Sequence, residues 1–317
     1  PLESSLFRVL EEHLEIDSEI NDIRDRATLR YSILDFQPDY IFHMAAQALV
    51  RDSYTIPVET FDTNVMGSVH LLDAVRQLKK PCKVIVITTD KVYVNKEIDY
   101  PYKEEDPLGG YDPYSASKAS TEIAVGSYRL SFFNPDRIAE HRKSIATARA
   151  GNVIGGGDWA KDRIIPDLVR SIEKDNILTI RNPSAIRPWQ HVLEPLFGYL
   201  TLAVKMTKDP VQFSDAYNFG PYTDDVLSVE ELIKISTSYW GKGSYQIDRS
   251  KSNLHEAKRL QLDIGKAHQE LGWEPILNSK KSIEWTIHWY KNYRKDPYQI
   301  TEKQILQYLE LKKKNKV

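Results

Sequence analysis

Tyr114 and Lys118, in the run Tyr114-Ser115-Ala116-Ser117-Lys118, stand four residues apart. In a helix that spacing puts a phenol and an ammonium on one face. An unperturbed phenol ionises near pH ~10, but a neighbouring cation favours the phenolate, and the charge of a bound nicotinamide would favour it further. A phenolate beside a hydride acceptor takes the proton from an alcohol as hydride leaves its carbon. Alone, the pattern also fits many solvated helix faces, so its weight comes from its flanks. Asp112-Pro113 just before it supplies an N-cap and a first-turn proline. Upstream, Thr88-Thr89-Asp90-Lys91 sets hydroxyls, a carboxylate and an amine directly after an apolar run.

Three short apolar runs read as buried parallel strands: 40–45, 84–88 and 144–149. Between them, residues 57–79 carry Val65, Val69, Leu72, Val75 and Leu78 at helical spacing and stop before Pro81, and a second helix is expected over 113–132. Alternating strand and helix predicts an α/β fold with a Rossmann-like, doubly wound parallel sheet. Ligands bind such sheets at the carboxyl ends of the strands. His43-Met44-Ala45-Ala46, Thr88-Thr89-Asp90-Lys91 and Ala150-Gly151-Asn152 all fall there, so three loops should converge on one crevice.

No Gly-x-Gly-x-x-Gly turn opens this pattern; Gly155-Gly156-Gly157 lacks the spacing and Gly241-Lys242-Gly243 is isolated. The chain, which begins at Pro1, therefore reads as lacking an initial βαβ segment, and with it a helix N-terminus for a pyrophosphate. The texture changes after about Gly155 to Trp-, Tyr-, Gly- and Pro-rich segments. We expect an incomplete dinucleotide-binding domain over 1–155 and a smaller mixed α/β substrate domain over 156–317, with some return segments to the first.

At 317 residues and 41% hydrophobic composition, the chain can bury a large core. Its net charge of -2 and lack of long like-charge blocks give no nucleic-acid footprint, and Lys312-Lys313-Lys314-Asn315-Lys316 reads as a solvated end. No apolar stretch approaches the ~20 residues of a membrane span. Cys82 is the single cysteine and no His/Cys cluster has zinc spacing, so neither an internal disulfide nor a metal is expected, and a reducing, cytoplasmic setting is the default.

Taken in order, several runs resemble the extended short-chain dehydrogenase/reductase superfamily and, within it, the nucleotide-sugar 4,6-dehydratases, chiefly those acting on CDP-D-glucose. They are Asp22-Ile23-Arg24-Asp25, His43-Met44-Ala45-Ala46-Gln47, Leu49 to Tyr54, Thr63-Asn64-Val65-Met66-Gly67, Thr89-Asp90-Lys91, Tyr114 to Lys118, Gly151 to Trp159, and Arg187 to Val192. The resemblance implies NAD as a retained cofactor and CDP-D-glucose as substrate. It assigns Thr89 and Tyr114 to the sugar O4 and C4, and Lys118 to the nicotinamide ribose and the phenolate. Asp22 and Ile23 would flank the adenine; His43, Ala45, Ala46, Gln47, Thr88 and Asn64 would line the rest of the cofactor. For Asp22 and Asn64, a helix cap or buried backbone bond is an equally good reading.

The pair Asp90-Lys91 points to the subclass. Epimerases of this superfamily lack an acid/base pair here, whereas dehydratases carry aspartate and then a base, glutamate in dTDP-glucose relatives and lysine in CDP-glucose ones. Once C4 is a ketone, the C5 hydrogen is acidic, and loss of the C6 hydroxyl needs a base at C5 and an acid at O6. Lys91 would be the base and Asp90 the acid; a charged Lys91 would instead steady the enolate electrostatically. The pyrophosphate calls for guanidinium groups: Arg163 and Arg187 are candidates, with Asn152 on sugar or phosphate. His191 and His255 occupy family-like positions without a derivable role, and Arg149, inside a strand, reads as structural. Helices 57–79 and 113–132 would pair by analogy, giving a homodimer or higher homo-oligomer. Other dTDP- or GDP-sugar dehydratases, a 4-epimerase and a non-catalytic dinucleotide-binding scaffold remain open as alternatives.

Overall fold

The computed structural model describes residues 5–248 and 259–314. Strands β1 (Tyr40–His43), β2 (Cys82–Ile87), β3 (Lys143–Ala150) and β4 (Ala216–Phe219) form one parallel sheet in that order. Its register runs Ile41 against Val84, Ile85 against Ala146, and Ala148 against Tyr217. Every residue of β3 is buried, as expected for a strand covered on both faces.

Alternation along the strands sends side chains to two layers. Val84, Val86 and Ile145 meet Leu72, Val75 and Val125 on one side, and Ile85, Ala146 and Ala148 meet Tyr199, Leu202 and Met206 on the other. The sheet is thus wound with helices on both faces, the Rossmann-like arrangement expected. β2 and β3 begin slightly earlier than their apolar runs, because Cys82 and Lys143 still pair. A lysine does not read as a buried strand residue from sequence, yet Lys143 Nζ is satisfied by the Leu78 and His141 carbonyls, each at 2.8 Å.

The predicted helix over 57–79 is interrupted. It runs as Pro57–Phe61, a π-helical turn Asp62–Met66, and Gly67–Gln77. The Asn64 carbonyl accepts hydrogen bonds from Ser68 Oγ at 2.7 Å and Thr121 Oγ1 at 2.9 Å. Apolar periodicity cannot show this, because one extra residue per turn shifts the stripe only slightly. The Tyr114 helix spans Pro113–Ser131 and starts as predicted, with the Asp112 carboxylate accepting from the Ser115 amide at 2.9 Å and Ser115 Oγ returning the bond.

Beyond Ile154 a second core gathers Leu168, Trp189, Leu232, Ile283 and Trp289, while β4 returns to the main sheet. Ser228 and Glu231 form a capping box for helix Val229–Trp240, and Gly272, at φ 66°, ends the turn before Trp273. Among the described residues, no helix is long and apolar enough to cross a membrane.

Candidate active site

The carboxyl ends of β2 and β3 open into a crevice of about 900 Å³ whose lining includes Thr89, Lys91, Tyr114, Asn152, Arg163 and Arg187. The phenol and the amine of the two predicted steps therefore face one cavity. Asp90 lies just behind, fully buried. Its carboxylate accepts from Thr89 Oγ1 at 2.9 Å, Lys91 Nζ at 3.2 Å and Asn152 Nδ2 at 3.2 Å. Asn152 holds φ 49°, a left-handed conformation asparagine tolerates better than most residues, and this turns its amide toward Asp90. Gly151 completes the seat, since a Cβ there would overlap the Asp90 carboxylate.

The electrostatics of the Tyr-Lys pair correct one expectation. Tyr114 is buried, and burial pushes its phenol up to about 12; Thr89, hydrogen-bonded to it, opposes that rise, Asp90 adds to it, and Arg163 opposes it. Lys118 is not among the groups that move the phenol most. Its Nζ donates to the Ile87 carbonyl at 3.0 Å, and burial draws its own pKa down to about 8 against the pull of Glu122. Helical spacing brought both groups to one face, but loss of water around each outweighs their mutual effect. The tyrosine is neutral at pH 7 in this state.

On the cofactor side, His43 Nε2 lies 2.9 Å from Ser68 Oγ, and burial followed by the Lys118 charge lowers the imidazole to about 4. Its ring is thus neutral and turned into the protein. Asn64 is also buried: its amide accepts from the Gln47 N–H at 2.8 Å and donates to the Gln47 carbonyl at 3.1 Å and to Ser117 Oγ at 2.8 Å. It ties the Ala45-Ala46-Gln47 loop to the Tyr114 helix, and of that loop Ala45 is exposed. Thr88 donates its hydroxyl proton to Glu122 at 2.5 Å and its backbone N–H to the Ala148 carbonyl at 2.8 Å, so it has no donor left for a ligand. Asp22 pairs with Arg24 at 2.6 Å, which holds its carboxyl at about 2, and Ile23 packs into the space left by Gly67.

On the substrate side, Arg163 is held 3.1 Å from Asp158, and Arg187 donates to the Ile186 carbonyl at 2.9 Å. His191 is displaced from the expected group. It is buried, packed edge-on against Trp285, and does not line the crevice. It sits on the two-residue strand Gln190–His191, which pairs with Val153–Ile154 and is buried at both positions. His255 lies outside the described residues. Two guanidiniums were not among the candidates for the pyrophosphate: Arg51 and Arg181 also line the crevice and share Asp162, at 3.5 and 3.3 Å. Arg51 in helix Val50–Thr55 and Arg181 just after strand Ile177–Ile180 were the available signal. Among the described residues, no group of three His, Cys, Asp or Glu could hold a metal ion.

A two-faced parallel sheet with a Tyr-x-x-x-Lys helix beside a Thr-Asp-Lys strand end places the chain among short-chain dehydrogenase/reductase folds. A family model described as GDP-mannose 4,6 dehydratase matches residues 6–286, and the chain belongs to that family of nucleotide-sugar dehydratases. It is 46% identical over 291 residues to the CDP-glucose 4,6-dehydratase of Salmonella typhimurium, covering 92% of this chain and 81% of that protein. The dTDP-glucose 4,6-dehydratase of the same organism is 27% identical, over 85% and 77% of the two chains. Among solved structures, UDP-glucuronic acid 4-epimerase from Bacillus cereus superposes with TM-score 0.75 at 24% identity, over 89% of this chain and 84% of that one. DesIV, a dTDP-glucose 4,6-dehydratase from Streptomyces venezuelae, gives 0.72 at 23%, over 88% and 81%. These structural likenesses bear on the fold.

Proposed function

We propose that the protein is an NAD-dependent hydro-lyase that converts CDP-D-glucose to CDP-4-keto-6-deoxy-D-glucose. The carrying observation is the shared crevice of Lys91 and Tyr114, with Asp90 bonded to Lys91, and the 46% identical relative supplies the nucleotide. NAD fits a donor left over in the fold. The buried Lys118 ammonium has three N–H groups and one hydrogen-bond partner among the described residues, the Ile87 carbonyl, which leaves two donors for ribose hydroxyls. When bound, NAD supplies an acceptor for the C4 hydride and its return to C6, so no external oxidant is consumed.

The chain's residues do the rest. Tyr114 takes the O4 proton, with Thr89 bonded to the same oxygen. Lys91 takes the C5 proton of the 4-ketose while Asp90 protonates the departing O6 hydroxyl, and C5 is reprotonated when C6 is reduced. For this the proton that Lys91 Nζ shares with Asp90 at 3.2 Å must first pass to the carboxylate, leaving a neutral amine and a protonated acid as the sugar enters. Residues up to 155, with the returning β4, form the dinucleotide half of this reading, and the remainder the sugar-nucleotide half. A cytoplasmic homodimer is consistent with the free, buried Cys82 and with exposed Val58, Ile123 and Leu130 on the two helices expected to pair. The product class, 6-deoxy-4-ketoses, suits the supply of deoxysugars to surface polysaccharides.

The test is incubation of the full-length protein with NAD and C4-deuterated CDP-D-glucose. A 4-keto product carrying deuterium at C6 is expected; an NAD-binding preparation that leaves the sugar unchanged overturns the reading. Arg187→Ala should raise KM about 10–100-fold with kcat little changed, the loss of a charge-assisted bond of ~1.5–3 kcal/mol, checked by steady-state kinetics. Gly151→Ala should instead lower kcat on the order of 10²-fold by pushing Asp90 out of place, with the thermal midpoint showing that the fold survives.

A further inference from the structure

Beneath the crevice, Glu122 and Arg149 form an ion pair whose side chains keep only 3% and 4% of their exposure. Neither lines the cavity. Glu122 lies one helical turn beyond Lys118, and its two oxygens are saturated. Oε1 accepts from Thr88 Oγ1 at 2.5 Å and Arg149 Nε at 3.0 Å; Oε2 accepts from Thr147 Oγ1 at 2.8 Å and Arg149 Nη2 at 2.9 Å. Arg149 Nη1 then donates to Tyr93 Oη at 2.8 Å and to the Glu104 carbonyl at 3.0 Å, and Tyr93 donates to Asn218 Oδ1 at 2.7 Å. Thr88 immediately precedes Thr89, and Tyr93 follows Lys91 by two residues. Both ends of the Thr89-Asp90-Lys91 segment are therefore tied to one ion pair, and that pair is anchored on the helix that carries Tyr114 and Lys118.

We propose that Glu122, through Arg149, is a positioning residue that keeps the elimination pair Asp90-Lys91 in register with the oxidation pair Tyr114-Lys118. The roles of those pairs rest on the dehydratase reading above; the mechanical coupling does not. Stability alone explains the ion pair poorly. Removing two charges from water is costly, and apolar residues of similar volume often serve a core as well or better. What such residues would lack is direction: four donors converge on one carboxylate from the sheet, the strand end and the guanidinium. The negative charge of Glu122 also supports the Lys118 ammonium against burial. His43 from β1, which is neutral, also interacts with Lys118, and Arg149 is paired with Glu122.

Two variants test this. Glu122→Gln keeps the shape but loses the charge and one acceptor; Glu122→Leu/Arg149→Met removes both charges and leaves neither unpaired. Turnover per folded molecule should fall about 10–100-fold in both, with KM within about twofold. In Glu122→Gln alone, the high-pH fall of kcat should also move to lower pH, because Lys118 loses its counter-charge while Arg149 remains. Amide exchange over residues 88–93, read by mass spectrometry without substrate, should quicken at least about tenfold in both variants. A double variant that is as stable as the parent and has its full kcat makes the pair merely structural and overturns the proposal. Unchanged exchange over 88–93 in both variants overturns it too, even if the parent proves inert toward CDP-D-glucose, an outcome that would end the dehydratase reading separately.

Discussion

Tyr114→Phe is expected to lower turnover of CDP-D-glucose by roughly 10²–10⁴-fold, the usual worth of a positioned general base. The phenol lines the crevice beside Thr89 and is buried, and burial pushes it up to about 12. The sign of the pH dependence follows. A base that is neutral at pH 7 gains its active form as pH rises, so the low-pH limb of kcat should climb through neutrality. A cationic ligand near the phenol shifts that limb to lower pH, because opposite charge favours the ionised form. Phenylalanine keeps the ring and its packing, so the limb should vanish while the thermal midpoint stays within a few degrees. A kcat for the Phe variant near that of the parent removes Tyr114 from the chemistry.

The second large effect separates the two half-reactions. Lys91→Ala should leave oxidation at C4 in place and stop elimination, lowering dehydration by about 10²–10⁴-fold. The sugar recovered from a stoichiometric mixture should be oxidised at C4 with its C6 hydroxyl intact. Lys91→Arg then distinguishes the two roles open to this residue: arginine keeps the charge but does not give up its proton. An inactive arginine variant identifies Lys91 as the C5 base, whereas one close to the parent makes it an electrostatic partner of the enolate. Asp90→Asn should block the same step, since an amide in place of the carboxyl group cannot pass a proton to O6. If Lys91→Ala makes the 6-deoxy product at the parental rate, the assignment of elimination to this pair is wrong.

Much of this site was legible from local rules. Asp112-Pro113 marked the helix start because capping and a fixed proline φ depend on neighbouring residues alone. Strands β1 to β3 were readable because doubly covered strands are continuous apolar runs. The meeting of Thr89, Lys91 and 150–152 in one crevice followed from the polarity of parallel strands, whose carboxyl ends share one edge of the sheet, whereas 43–47 does not line that crevice and the chain from Ala48 to Arg51 does.

What failed to appear depends on partners distant in sequence. Asn152 reads as a substrate contact and lines the crevice, but that its amide also meets Asp90, 62 residues away, is not visible in the sequence. His191 carries a family-like position, yet its ring packs against Trp285 outside the crevice. Arg51 and Arg181 become neighbours only through Asp162. The ion pair of Glu122 and Arg149 joins a helix to a strand 27 residues further on.

The amino-acid sequence by itself determined the class of fold, the Tyr114–Lys118 face and the Thr89-Asp90-Lys91 strand end, because each is a matter of period, capping and order along the chain. Only the tertiary structure decided which groups are charged and which way they point: Tyr114 neutral, Lys118 drawn down, Asp90 seated on Gly151, Glu122 clamped to Arg149. Ionisation and orientation are set by the water removed from around a group and by the partners packed against it. Those quantities exist only once distant segments have met.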